Sequence, residues 1–169
     1  MIKPKTKAPK LALELINDTR WELEVQKPDT YTMIVFYRGL HCPVCKKYLK
    51  ELTSKLDKFT DRGVNAIAVS MDSEKRAKKA GEEWETGDLP IGYDMSRETA
   101  EEWGLFISES IKDEEPDIFS EPALFLIDKE GKVFYTSIQS MPFARPQFDD
   151  IAKAIDFVQE KNYPARGAA

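Results

Sequence analysis

The stretch YTMIVFYRGLHCPVC, Tyr31 to Cys45, decides the fold. Its first half, Tyr31 to Tyr37, is a β-branched and aromatic run that predicts a buried strand, and Pro28 and Asp29 mark the turn before it. Its second half sets two cysteines three residues apart where a helical pattern begins. Val44, Tyr48, Leu52, Leu56 and Phe59 recur at spacings of four, four, four and three, one face of a helix running to about Thr60. Asp61-Arg62-Gly63 ends it, because glycine suits the left-handed position beyond a helix terminus. Val64 to Ser70 reads as the next strand. Strand, helix and strand in this order predict a βαβ unit with parallel strands and a right-handed crossover.

Outward from this unit the pattern continues as α/β. Residues 1–12 are Lys- and Pro-rich and read as a lead-in to a single domain over 13–169. Trp21, Leu23 and Val25 alternate, which predicts a first strand near Thr19 to Val25. Downstream come a charged helix from Ser73 to Trp84, capped by Asp72 or Ser73, and a short strand from Leu89 to Tyr93. A short helix from Ser96 to Trp103 ends at Gly104, and the acidic segment Ser110 to Phe119 reads as a solvated loop. Pro122 to Ile127 and Lys132 to Ile138 predict a hairpin around Asp128-Lys129-Glu130-Gly131. The last helix, Pro146 to Lys161, carries Phe148, Ile151, Ala152, Ile155 and Val158 on one face.

Composition bounds the function. With 169 residues the chain is about one domain and needs no covalent or metal staple to fold. Lys plus Arg total 25 against 30 Asp plus Glu, a net charge of −5, which excludes a generally basic nucleic-acid binder. The longest apolar runs, Met33 to Tyr37 and Ala123 to Ile127, are too short to cross a bilayer, so no membrane partner is expected. The basic N-terminus is followed by no apolar stretch, and the expected location is cytoplasmic.

The two cysteines are the whole supply, and in a reducing compartment a close pair points to chemistry rather than scaffolding. At a helix N-terminus, free N–H groups and the helix dipole favour a thiolate. Lowering a thiol pKa from about 8.5 to about 7 raises the thiolate fraction at neutral pH from roughly 3% to half. Nucleophilicity falls with pKa, so the net gain in attack rate is only about three-fold. The larger gain lies in a second thiol at high effective concentration, which Cys42 and Cys45 supply on one face of a first helical turn, with Pro43 suited to an early helical position. A CxxC beside a βαβ pattern signals thioredoxin-like redox chemistry. Competing readings are a pair of packed thiols, or a metal bridged between two chains by His41, Cys42 and Cys45. The leading expectation is that no cofactor or metal takes part.

The stretches FYRGLHCPVC, VSMDSE, LPIGYDMSRETAEEWG and PALFLIDKEGKV, in this order, resemble the peroxiredoxin-like branch of the thioredoxin superfamily, in particular AhpC/TSA relatives that carry CxxC. The likeness runs from about residue 14 to the C-terminal YPARG. It implies a thioredoxin-like fold of the peroxiredoxin-like variant, with a central mixed sheet flanked by helices. It places Cys45 at the peroxidatic position, Cys42 where those enzymes carry Thr or Ser, and Arg38 where they carry Pro. The arginine they carry before the hairpin strand is replaced by Glu121 and Pro122, which leaves Arg38 or Arg145 to supply a cation to a breaking O–O bond. The likeness to thioredoxin instead implies that Pro122 is a cis-proline, that Cys42 is the exposed nucleophile and that Cys45 resolves from below. His41 is either a protonated neighbour of the thiolate or a plain turn residue, and Glu121, if close, raises the cysteine pKa values.

The leading expectation is a thiol–disulfide oxidoreductase of cytosolic redox homeostasis, cycling Cys42–Cys45 between dithiol and disulfide. The alternative is a thiol peroxidase in which Cys45 becomes a sulfenic acid and Cys42 condenses with it. A third reading is a non-catalytic or metal-bridging binding protein. Partners are then a disulfide or peroxide substrate and an external thiol reductant. A homodimer is an expectation that rests on the resemblance alone.

Overall fold

A computed structural model describes every residue from Met1 to Ala169. At its centre lies β3 (Tyr31–Phe36), all six residues of which are buried. It pairs in parallel with β4 (Val64–Val69), Tyr31 facing Val64 and Phe36 facing Val69. On its other side it pairs antiparallel with β8 (Ala123–Asp128), Phe36 facing Ala123. With β5 (Ile91–Gly92) beyond β4 and β9 (Val133–Ile138) beyond β8, the mixed sheet has the order β5-β4-β3-β8-β9. This is the thioredoxin-like, peroxiredoxin-like architecture that the resemblance implied.

The pleat of β3 divides the core in two. Met33, Val35 and Tyr37 face α1 (Pro43–Ser54), α3 (Glu74–Glu83) and α5 (Phe148–Lys161), where Leu49, Ala80, Phe148 and Ile151 pack. Ile34 and Phe36 face the other layer, with Phe125 and with Trp103 at the end of α4 (Arg97–Glu102). Trp103 and Phe125 meet edge-on at 5.0 Å. No helix is long and apolar enough to cross a membrane.

Several elements depart from the expectation. The helix after the cysteines breaks at Lys55 into α1 and α2 (Leu56–Thr60). Just before the break the Thr53 hydroxyl donates to the Leu49 carbonyl at 2.8 Å, a back-bond that bends helices. The buried stripe of α1 is Cys45, Leu49 and Leu52, with Val44 and Tyr48 at its margin. The first strand is only β2 (Arg20–Glu22), followed by a 3₁₀ turn over Leu23–Val25 and paired with an unforeseen β1 (Ala12–Glu14). Residues ahead of β1 run along the edge of β9, where Lys5 N–H donates to the Val133 carbonyl at 2.7 Å, and Leu11 is buried. They supply partners to an edge strand that would otherwise expose its ladder groups. The expected loop Ser110 to Phe119 ends in a strand: β6 (Ile107–Glu109) and β7 (Ile118–Ser120) form a separate antiparallel ribbon with the acidic tip between them.

Candidate active site

The turn after β3 delivers the two cysteines. Cys42 stands at the N-cap of α1 in extended conformation, and Pro43 opens the helix, where its missing N–H costs nothing. The Cys42 sulfur accepts a hydrogen bond from the Cys45 N–H at 3.2 Å. The two residues are joined as a disulfide, with their Cα atoms 5.2 Å apart. Both are buried, Cys42 at 1% exposure and Cys45 at 0%, so the expectation of an exposed Cys42 above a sheltered Cys45 is corrected. Neighbouring segments account for the burial. The β6–β7 ribbon brings Phe119 against His41, ring centres 4.6 Å apart, and the segment between β9 and α5 brings Arg145 onto Cys45.

Arg145 is the one cation that touches sulfur. Its Nη2 donates to Cys45 Sγ at 2.9 Å, from 100 residues away in the chain. The guanidinium lies 4.7 Å over the Tyr48 ring, and the Tyr48 hydroxyl donates to the Pro146 carbonyl at 2.6 Å. Arg145 Nε and Nη1 are buried without a partner. Burial pulls its pKa down to about 10, which still leaves it cationic at neutral pH. Unpaired buried donors are costly, and these belong to the guanidinium whose third nitrogen already holds the Cys45 sulfur.

Arg38 is occupied elsewhere. Its Nε lies 3.2 Å from Glu121 Oε2, an ion pair without hydrogen-bond alignment, and its guanidinium sits 4.7 Å over Phe119. The other Glu121 oxygen accepts from the Ser108 hydroxyl at 2.7 Å. Glu121 is therefore a compensated carboxylate facing Arg38 and Ser108, not a bare charge aimed at the sulfurs. His41 carries two buried ring nitrogens without partners, and burial first, then the positive charge of Arg38, lowers its pKa. Both effects act against a protonated imidazole beside the cysteines and favour the plain turn residue of the two readings. All peptide bonds are trans, which corrects the expectation of a cis Pro122. The chain runs extended through this point, with Glu121 N–H donating to the Phe106 carbonyl at 2.7 Å and Gln139 N–H to the Pro122 carbonyl at 2.9 Å. Pro122 nevertheless reaches the site, lining with Tyr48, Arg145 and Pro146 a cleft of about 10 Å³.

Cys42, Cys45, Arg145 and Tyr48 thus gather at the α1 N-terminus with Pro122 beside them, while His41 and Arg38 pack on Phe119 and Glu121 meets Arg38 and Ser108. Tyr48 carried a signal in the sequence, since it lies three residues beyond Cys45 on the same helical face. No three His, Cys, Asp or Glu side chains converge in a metal-binding group. The larger clefts, about 490 Å³ between β9 and α5 and about 650 Å³ beside Thr53 and Asn65, are not lined by either cysteine.

Comparison with known proteins agrees with this geometry. The family model described as AhpC/TSA matches residues 4–136. A thiol peroxidase of Aquifex aeolicus (strain VF5) is 26% identical over 127 residues, 75% of this chain and 72% of that protein. Among solved structures, the peroxidoxin BcpB from Mycobacterium tuberculosis superposes with a TM-score of 0.74 at 21% identity, covering 92% of this chain and 96% of that one. The 2-Cys peroxiredoxin of Plasmodium vivax, in its reduced form, gives a TM-score of 0.79 at 20% identity, covering 96% and 84%. The structural likenesses establish the fold, and the family match spans most of the chain. The chain belongs to the AhpC/TSA family and is an oxidoreductase.

Proposed function

We propose that the protein is a thiol peroxidase in which Cys45 is the peroxidatic and Cys42 the resolving residue. The observation that carries this reading is the Arg145 guanidinium, 2.9 Å from Cys45 Sγ with two further donors unengaged. The Cys45 thiolate attacks one peroxide oxygen, an S–O bond forms as the O–O bond breaks, and the departing oxygen takes up a proton as water or alcohol. Arg145 stabilises the thiolate beforehand and the negative charge on the departing oxygen afterwards. The Cys42 thiolate then attacks the sulfenic sulfur, water leaves, and the Cys42–Cys45 disulfide results. An external thiol reductant, in the cytosol, returns the pair to the dithiol.

The leading expectation of general thiol–disulfide exchange draws less support. Both sulfurs are almost wholly buried, which bars a bulky protein disulfide more than a small peroxide, and the Aquifex aeolicus relative is a thiol peroxidase by name. The test is stopped-flow thiol loss with hydrogen peroxide in the reduced protein. The Cys42→Ser variant is expected to keep the wild-type rate and accumulate sulfenic acid, and Cys45→Ser to lose it. A Cys42→Ser rate no faster than that of a free thiol overturns the reading.

A further inference from the structure

We infer that Asp72 is a positioning residue for the Cys42–Cys45 couple, its buried carboxylate holding the turn that places the Cys42 sulfur. Cys42 is the N-cap of α1: its carbonyl accepts from Lys46 N–H at 3.0 Å, but its own backbone is extended, so the turn before it sets how it enters the helix. Within residues 38–41 one backbone group is tied to a distant part of the chain, the Leu40 N–H, which donates to Asp72 Oδ2 at 2.8 Å across 32 residues. The turn then closes on itself, with Cys42 N–H donating to the Gly39 carbonyl at 3.1 Å.

Asp72 is built to be rigid. Its side chain has 0% exposure, and Oδ1 accepts from Arg76 Nε at 3.0 Å, which neutralises the buried charge. Its N–H donates to the Ser70 hydroxyl at 3.2 Å, and its carbonyl accepts from Asp94 N–H at 2.8 Å. The turn presses close: a Cβ on Gly39 would sit 2.6 Å from Asp72 Oδ1, and Gly39 has φ +134°, so this position requires glycine. Asp72 does not cap α3, a task Ser73 performs. A buried carboxylate with no cap to make, whose second oxygen is spent on the cysteine turn, acts on that turn. It keeps Cys42 where its thiolate reaches the Cys45 sulfur, so that the S–S bond forms as hydroxide leaves the sulfenic acid and, with a proton, becomes water.

The sulfenic step rests on the peroxidase reading, whereas the position of the dithiol does not. The deciding measurement is therefore the equilibrium of the full-length protein with reduced and oxidised glutathione, read by alkylation of free thiols. Asp72→Leu, which removes both acceptors, is expected to weaken the disulfide about tenfold, raising its potential by about 30 mV. Asp72→Asn retains an acceptor for Leu40 N–H and is expected to stay within about threefold of wild type. A folded Asp72→Leu within about threefold of wild type overturns the inference, as does an Asp72→Asn shift as large as that of Asp72→Leu, which would make charge rather than position the cause. Ile155→Ala, a destabilising change in the α5 core, is the comparator; an equal shift there also overturns it. If Asp72→Leu fails to fold, amide exchange of wild-type Leu40 decides, with protection expected in both redox states and its absence from either refuting the anchor. In peroxide, the Asp72→Leu sulfenic acid is expected to persist about tenfold longer at an unchanged Cys45 rate. A wild-type protein inert to peroxide would overturn the peroxidase reading while the glutathione equilibrium still judged Asp72.

Discussion

In the proposed reaction Arg145 supplies at Cys45 the cation that the sequence lacks before its hairpin strand. If its guanidinium stabilises both thiolate and departing oxygen, Arg145→Ala lowers the second-order rate with hydrogen peroxide by about 10²–10³-fold. Arg145→Lys recovers part of the loss, since it keeps the charge but not the planar donors. Competition kinetics against a reference peroxidase measures both. The neighbouring imidazole sets a pH dependence of stability. The folded state lowers the pKa of His41 below its ordinary value of 6.5, so the unfolded chain binds the proton more readily. This contribution to stability is full above pH 6.5 and is lost as pH falls below it. The urea midpoint is expected to fall from pH 7 to pH 5, and His41→Phe, which keeps the contact with Phe119, to flatten that fall. The cysteine pair and its helical N-terminus were plain from residues 42–45, and the roles of their neighbours were not. His41, Glu121 and Arg38 were all named near the cysteines, but their contacts are made with Phe119, Ser108 and one another, mostly partners remote in the chain.

The long elements were legible because each carries its own periodicity. β3, β4, the β8–β9 hairpin, α3 and α5 fall within a few residues of their expected bounds. The three-residue strands β1, β6 and β7 were missed, because segments this short hold no periodic signal and exist only through their partners. At the start of α3, the Ser73 hydroxyl accepts from Arg76 N–H at 3.3 Å. Ser73→Ala is expected to cost about 1 kcal/mol of stability in a denaturant titration, with the Cys45 peroxide rate unchanged.

The helix α5 closes the molecule over the cysteine face. Phe148 is wholly buried, stacks at 4.3 Å on Tyr48 and meets Phe59 edge-on at 6.2 Å. Arg62 holds Asp156 through two bonds of 2.8 and 3.0 Å, and Lys55 and Lys58 both reach Asp149. Those ion pairs are exposed, so the aromatic contact carries the docking. Phe148→Ala is expected to cost about 3–5 kcal/mol, seen as a lower Tm. Because Tyr48 lies under the Arg145 guanidinium, the same variant is also expected to slow the proposed peroxide reaction, as measured by stopped-flow thiol loss.

The sequence by itself determined the strand–CxxC–helix unit, the mixed α/β architecture and the dithiol at a helix N-terminus. Each of these follows from local periodicity, turn chemistry or the spacing of two side chains. The tertiary structure alone decided that both sulfurs are covered, that Pro122 is trans, that Arg145 meets Cys45 and that Asp72 grips the turn before Cys42. Contacts across 100 or 32 residues leave no periodic trace, because they are set by how the sheet brings its strand ends together.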